Sequence, residues 1–157
     1  MTTLHLMVGL PCSGKTTLAK KLEAELGVLR LTPDEWHRKL FGQDATHPDH
    51  DRRHGKIEEL QWEVAACALG VGLSVILDFG FWARIERDDY RKRASVLGAR
   101  TSIHFLDVPH DVLLHRLEVR NAQTSDDVTH IPPAMLKEWF TSLQAPDAEE
   151  LERGSTP

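Results

Sequence analysis

The segment Gly9-Leu10-Pro11-Cys12-Ser13-Gly14-Lys15-Thr16 constrains the fold of this chain more than any other stretch. It fits G-x-x-x-x-G-K-[ST] without a mismatch. It follows the apolar run TLHLMV at 3–8 and opens a segment that places Leu18, Leu22 and Leu26 at helical spacing. Strand, glycine-rich loop and helix in that order make a phosphate-binding loop: glycines let the backbone wrap an anion, and successive N–H groups converge with the helix N-terminus on it. The spacing predicts that the backbone from Gly9 through Pro11, Cys12, Ser13 and Gly14 to Lys15, Thr16 and Thr17 holds the phosphates of ATP. Lys15 would reach the β- and γ-phosphates and the Thr16 hydroxyl would face Mg²⁺. The competing reading is a glycine-rich turn without function. Cys12 lies near a helix N-terminus, where a thiol pKa falls, but it also reads as a small loop residue.

The rest of the chain alternates in the same way. Residues 28–31 read as a second strand, followed by a helix to about Leu40 with Thr32 as N-cap, Pro33 at its first position and Glu35 as capping-box acid. A longer helix from about Asp51 to Leu69 shows Ile57, Leu60, Val64 and Cys67 or Ala68 on one face, and strand 73–77 follows it. A charged helix at 84–97, a strand at 101–108 and helices at 110–120 and 132–143 complete the ordered part. Strands separated by helices require crossovers. The expected fold is therefore α/β: a P-loop NTPase, a three-layer α/β/α sandwich around a mostly parallel sheet.

At 157 residues the chain has length for one core. The expectation is a single domain over 1–143 and a peripheral acidic tail over 144–157 with little to bury. Hydrophobic content of 41% and charged content of 27% are ordinary for a globular protein, and no apolar run approaches the roughly 18 residues of a membrane span. The N-terminus has no basic region and runs straight into the loop, so a cytoplasmic location without a cleaved signal is expected. Cys12 and Cys67 belong to no paired pattern, which argues against disulfides and zinc. A net charge of −5 gives no general footprint for nucleic acid, which is possible but not favoured as a partner.

No NKxD-type guanine signature is present, and the chain is short for an AAA+ or transporter ATPase with added helical domains. Asp78-Phe79-Gly80 has no HRD loop before it and is not a protein-kinase motif. What remains is specific. GLPCSGKTTLAKKLEAELG, Leu31-Thr32-Pro33-Asp34-Glu35-Trp36, Val75-Ile76-Leu77-Asp78 with Arg84 nearby, and the arginines of 116–120 occur in the order of a known group. The chain resembles the small P-loop kinases grouped with polynucleotide kinase, zeta toxin and chloramphenicol phosphotransferase, the AAA_33-type ATP-binding proteins, over about residues 3–143. The resemblance implies a phosphoryl transferase with an acid after the second strand as base and an arginine-bearing helical lid, here about 116–131.

Asp34, at the C-terminal end of the second strand, faces the crevice where open α/β sheets bind ligands, and is the candidate base for a substrate hydroxyl. Its charge would equally favour a helix N-terminus. Asp78, ending an apolar strand, is placed to hold magnesium, to orient a lid arginine, or to cap the next turn, with Asp107 as a competitor. Arg116 and Arg120 share a helix face and could close onto the β/γ-phosphates or simply complement the helix C-terminus. The acidic Asp126-Asp127 pair departs from the group's pattern. Trp36 and Trp82 are candidate substrate contacts, as is Arg38; Phe79 and Phe81, and Arg84 and Arg87, fit packing and a solvated face at least as well. His47, His50 and His54 suggest a metal only if their helix begins before His47, which Pro48 opposes, so a polar helix start or substrate cap is preferred. The reading as a whole is an ATP-dependent transfer to a hydroxyl of a small molecule, a metabolite or antibiotic. Its alternatives are a 5′-hydroxyl polynucleotide kinase and a nucleotide switch acting through a protein.

Overall fold

The computed structural model describes residues 1–124 and 130–153. Among these, four strands form one parallel sheet: β1 (Thr3–Val8), β2 (Leu29–Leu31), β3 (Val75–Gly80) and β4 (Arg100–Phe105), in the order β2-β3-β1-β4. Helices α1 (Lys15–Leu26), α2 (Pro33–Phe41), α3 (His50–Gly70), α4 (Arg84–Val96), α5 (His110–Asn121), α6 (Pro133–Ser142) and α7 (Ala148–Arg153) connect and cover it. Leu6 pairs with Leu77 on one side and with Ile103 on the other, so β1 is central and the loop that follows it opens mid-sheet.

The strand period of two explains the layers. Leu4, Leu6 and Val8 of β1 and Val75 and Leu77 of β3 pack with Ala65 and Leu69 of α3 and Tyr90 and Ala94 of α4. The intervening Met7 and Ile76 point the other way, against Ala19 of α1. This is the α/β/α sandwich of a P-loop NTPase. A separate apolar cluster of Leu10, Leu113, Leu117, Ile131 and Leu136 joins α5 and α6 to the loop after β1.

Three expectations are corrected. Helix α3 buries Ile57, Gln61, Ala65 and Ala68, while Leu60 is 52% and Val64 41% exposed and Cys67 is exposed. Both stripes satisfy a 3.6-residue period; hydrophobicity points to the one without glutamine, but the small side chains of Ala65 and Ala68 are what let the helix lie close to the sheet. The capping box at α2 does not form. The Thr32 hydroxyl bonds to Asp78 and accepts from Arg30, and Glu35 pairs with Arg30 and Lys20 instead. Residues 144–153 are not a loose tail: α7 puts Glu150, 1% exposed, against Arg87, and Gln144 donates its N–H to the Trp82 carbonyl at 2.8 Å. The sequence reads as an acidic tail because the cation that pairs with Glu150 lies 63 residues away. The remainder of that segment, 154–157, and the Asp126-Asp127 pair lie outside the described residues.

Candidate active site

The loop between β1 and α1 is tied at its base. Gly9 donates its N–H to the Gly80 carbonyl at 3.1 Å and its own carbonyl accepts from Trp82 Nε1 at 3.2 Å. A Cβ on Gly9 would sit 2.6 Å from Ser13 Oγ and 3.3 Å from its Cβ, so any side chain here would displace Ser13 from the loop. Gly14 and Cys12 adopt left-handed φ values of 92° and 67°. The second is unusual for a side-chain-bearing residue and belongs to a backbone held in shape by its surroundings.

Three elements meet at this loop. Asp78, inside β3 rather than at its end, has a fully buried side chain; Oδ2 accepts from Thr16 Oγ1 at 2.6 Å and from Thr32 Oγ1 at 3.1 Å, and Oδ1 lies 3.4 Å from Lys15 Nζ. The capping role is thus replaced by a direct bond to the phosphate loop, and among the described residues no arginine bonds to Asp78. Asp107 follows β4 beside a smaller cavity of about 170 Å³. From α5, Arg116 Nη1 donates to the carbonyls of Cys12 (3.2 Å) and Ser13 (3.4 Å), and Arg120 Nη1 lies 3.9 Å from Cys12 Sγ. Both lid arginines therefore reach the loop.

Asp34, at the second position of α2 and with a side chain 60% exposed, lines a cleft of about 550 Å³ together with Pro11, Cys12, Gly14, Lys15, Thr16 and Thr17 of the loop. Arg38 and Arg120 also line it. Met135 and Trp139 of α6 form its lid-side wall. Trp36 and Trp82 do not reach the cleft. Trp36 packs on the main core; Trp82 packs beside Leu10, with its ring centroid 5.6 Å from that of Trp139, because its indole N–H is committed to Gly9. Phe79 and Phe81 stack in the core against Tyr90. Arg84 bonds to Asp147, and Arg87, read as a solvated residue, is fully buried with both guanidinium edges on Glu150 and Phe81.

Beyond Asp34, sequence reasoning singled out the histidine segment with Asp44 beside it as a polar helix start or substrate cap, but missed His37, which lines the cleft with Asp44 and His50, and Glu58 behind it. His54 Nε2 stands 3.9 Å from Asp34 Oδ1 and 3.6 Å from Glu58 Oε1. Burial lowers the His54 pKa, and burial together with Glu86 and Asp34 raises the Glu58 carboxyl to about 7. Asp44 accepts from His37, His50 and Arg53. Burial alone would raise the Asp44 carboxyl, but these bonds outweigh it and hold it at about 2. His37, at i+3 from Asp34 on the same helix, carried a signal in its spacing; Asp44 and Glu58 are brought in only by the tertiary fold.

The loop fits a phosphate group. Ser13 Oγ is buried with no hydrogen-bond partner among the described residues, and the glycines keep the cradle clear of Cβ atoms. The Thr16 hydroxyl and Asp78 carboxylate are hard oxygen donors 2.6 Å apart, the donor type that magnesium takes alongside phosphate oxygens.

A family model described as an AAA domain, AAA_33, matches residues 4–146. The chain belongs to the AAA_33 family. No curated protein matches this AAA_33 chain. Among solved structures it resembles a kinase candidate from Chloroflexus aurantiacus, with TM-score 0.73 and 22% identity over 88% of this chain and 74% of that one. It also resembles a sugar kinase from Janibacter, with TM-score 0.67 and 22% identity over 96% and 82%. Chaetomium thermophilum Kti12, solved with ADP-AlF3, gives TM-score 0.75 and 18% identity over 93% and 82%. At these identities the likeness is one of fold. No helix among the described residues is long and apolar enough to cross a membrane.

Proposed function

We propose that this AAA_33 protein is an ATP-dependent phosphotransferase that moves the γ-phosphate to a hydroxyl of a small molecule, acting in the cytoplasm. The observation that carries the reading is that Asp34 and the phosphate loop share one cleft, with room beside Asp34 for a second molecule.

When bound, ATP would supply the phosphoryl group, and Thr16 and Asp78 would hold the Mg²⁺ that neutralises charge on it. The chain's own residues do the rest. Lys15, the first residue of α1, places its ammonium over the loop for the β- and γ-phosphates. Arg116 and Arg120 exchange their contacts on Cys12 and Ser13 for phosphate oxygens, where planar donors suit the charge that develops. Asp34 accepts the proton of the attacking hydroxyl through a carboxylate oxygen. Met135 and Trp139 cover the cleft and exclude water, which would otherwise compete with the acceptor. Arg38 contacts the acceptor from the same wall as Asp34.

The test is transfer of labelled γ-phosphate to a panel of aminoglycosides, other antibiotics, nucleosides, sugars and 5′-hydroxyl oligonucleotides. With Asp34→Asn, transfer to the true acceptor should fall about 10²–10⁴-fold while nucleotide affinity is retained. Undiminished transfer would remove Asp34 as base. ATP hydrolysis unchanged by the substitution, with no labelled acceptor, would identify a nucleotide switch in place of a kinase.

A further inference from the structure

Beside Asp34 lies a group of imidazoles that the phosphoryl chemistry leaves unused. His37 of α2 and His50 and His54 of α3 each offer a ring nitrogen, and these nitrogens lie within 4.8 Å of one another. Ring centroids are 4.4 Å apart for His37 and His50, and 5.5 Å for His37 and His54. The sequence triplet of His47, His50 and His54 is not what assembles. Helix α3 begins at His50, after Pro48, and it is His37, from another helix, that completes the group.

Asp44 sets the chemistry of two of these rings. Its Oδ1 takes an N–H from His37 Nε2 and from His50 Nδ1, and Arg53 holds its Oδ2 at 3.0 Å. A carboxylate on one ring nitrogen fixes the tautomer and leaves the opposite nitrogen with its lone pair, so His37 Nδ1 and His50 Nε2 become the donor atoms. The first is buried with no hydrogen-bond partner among the described residues, and so is Nδ1 of His54.

We propose that His37, His50 and His54 form a binding site for a divalent transition cation, Zn²⁺ foremost, with Asp44 as the carboxylate that orients His37 and His50. Imidazole donors suit zinc, whereas magnesium takes oxygens, so the site is separate from Thr16 and Asp78. Zinc at about 2.0–2.1 Å from each nitrogen would hold two of them about 3.4 Å apart, which side-chain shifts of about 1 Å supply. Three protein ligands leave a fourth position for water or a bound molecule. His37 and His50 line the same cleft as Asp34, so the cation lies on the acceptor side and ties α2 to α3.

The 157-residue chain, free of any histidine tag and treated with chelator, is titrated with Zn²⁺ by calorimetry and with Co²⁺ by visible absorption. One equivalent of each should bind, with the d–d bands of a four-coordinate, nitrogen-rich Co²⁺ site. His50→Gln and His54→Gln should each weaken Zn²⁺ binding at least about tenfold, and Asp44→Asn by about 10–100-fold, while Asp78→Asn leaves it unchanged. Circular dichroism verifies the fold of each variant, and if Asp44→Asn does not fold the two histidine variants decide. No binding at millimolar Zn²⁺, equal affinity in the His50→Gln, His54→Gln double variant, or loss in Asp78→Asn alone would each overturn the site.

Discussion

His5 of β1 and His104 of β4 are diagonal neighbours on adjacent strands with Nδ1 and Nε2 3.0 Å apart, an arrangement in which one ring donates and the other accepts. Protonating both would set two donors against each other. Burial, the neighbouring His104 and Arg100 bring the His5 pKa from 6.5 to about 4, and burial lowers that of His104 as well. The unfolded chain therefore binds protons that the folded chain refuses between about pH 6.5 and 4. Stability is fully present above that window and is lost as pH falls through it, less steeply than for fully buried rings because both histidines are partly open to solvent. His5→Gln should flatten this slope by one proton when urea midpoints are measured from pH 7 to 4. An unchanged slope would show that His5 titrates normally. Residues of this kind were not legible in advance: the sequence shows two histidines 99 positions apart, and only the parallel register of β1 and β4 makes them partners.

At the scale of elements, α7 is held by chemistry rather than by apolar contact. Glu150 forms two bonds to Arg87, at 2.8 and 2.9 Å, and both side chains are excluded from solvent. Breaking such a pair strands the remaining charge, so Glu150→Ala should destabilise the protein by about 3–5 kcal/mol in denaturant unfolding. A loss under about 1 kcal/mol would mean that Arg87 finds another partner. The elements that sequence periodicity located well are those in which local and tertiary demands agree. In β1 and α1, the apolar run and the bounding glycines point the same way. It failed where a polar residue occupies a buried stripe, as Gln61 does in α3, and where a charge is neutralised from afar, as Glu150 is. The conformation of the loop after β1 was legible because a turn of this shape demands glycines at fixed spacing, as at Gly9 and Gly14. The far wall of the cleft was not, because His37 and Asp44 are brought together with His50 only by the packing of α2 on α3.

For the molecule as a whole, nucleotide binding at the centre of the sheet should be felt throughout, since a ligand that binds only the folded state stabilises all of it. ATP at a hundredfold excess over its Kd should add about 2.7 kcal/mol, or a rise of about 5–10 °C in Tm for a domain of this size. Lys15→Ala should abolish most of that rise while leaving the Tm without ATP within a few degrees. A full ATP response in Lys15→Ala would refute the phosphate loop as the binding site. The Lys15 ammonium already rests 3.4 Å from the Asp78 carboxylate. A docking phosphate therefore competes with an internal anion for the same cation, and the affinity that is measured is the difference between two partners of Lys15. Asp78→Asn would weaken the internal partner but also take away an oxygen proposed to hold Mg²⁺, so nucleotide should bind more tightly than to the unaltered protein without Mg²⁺ and lose that advantage when Mg²⁺ is added.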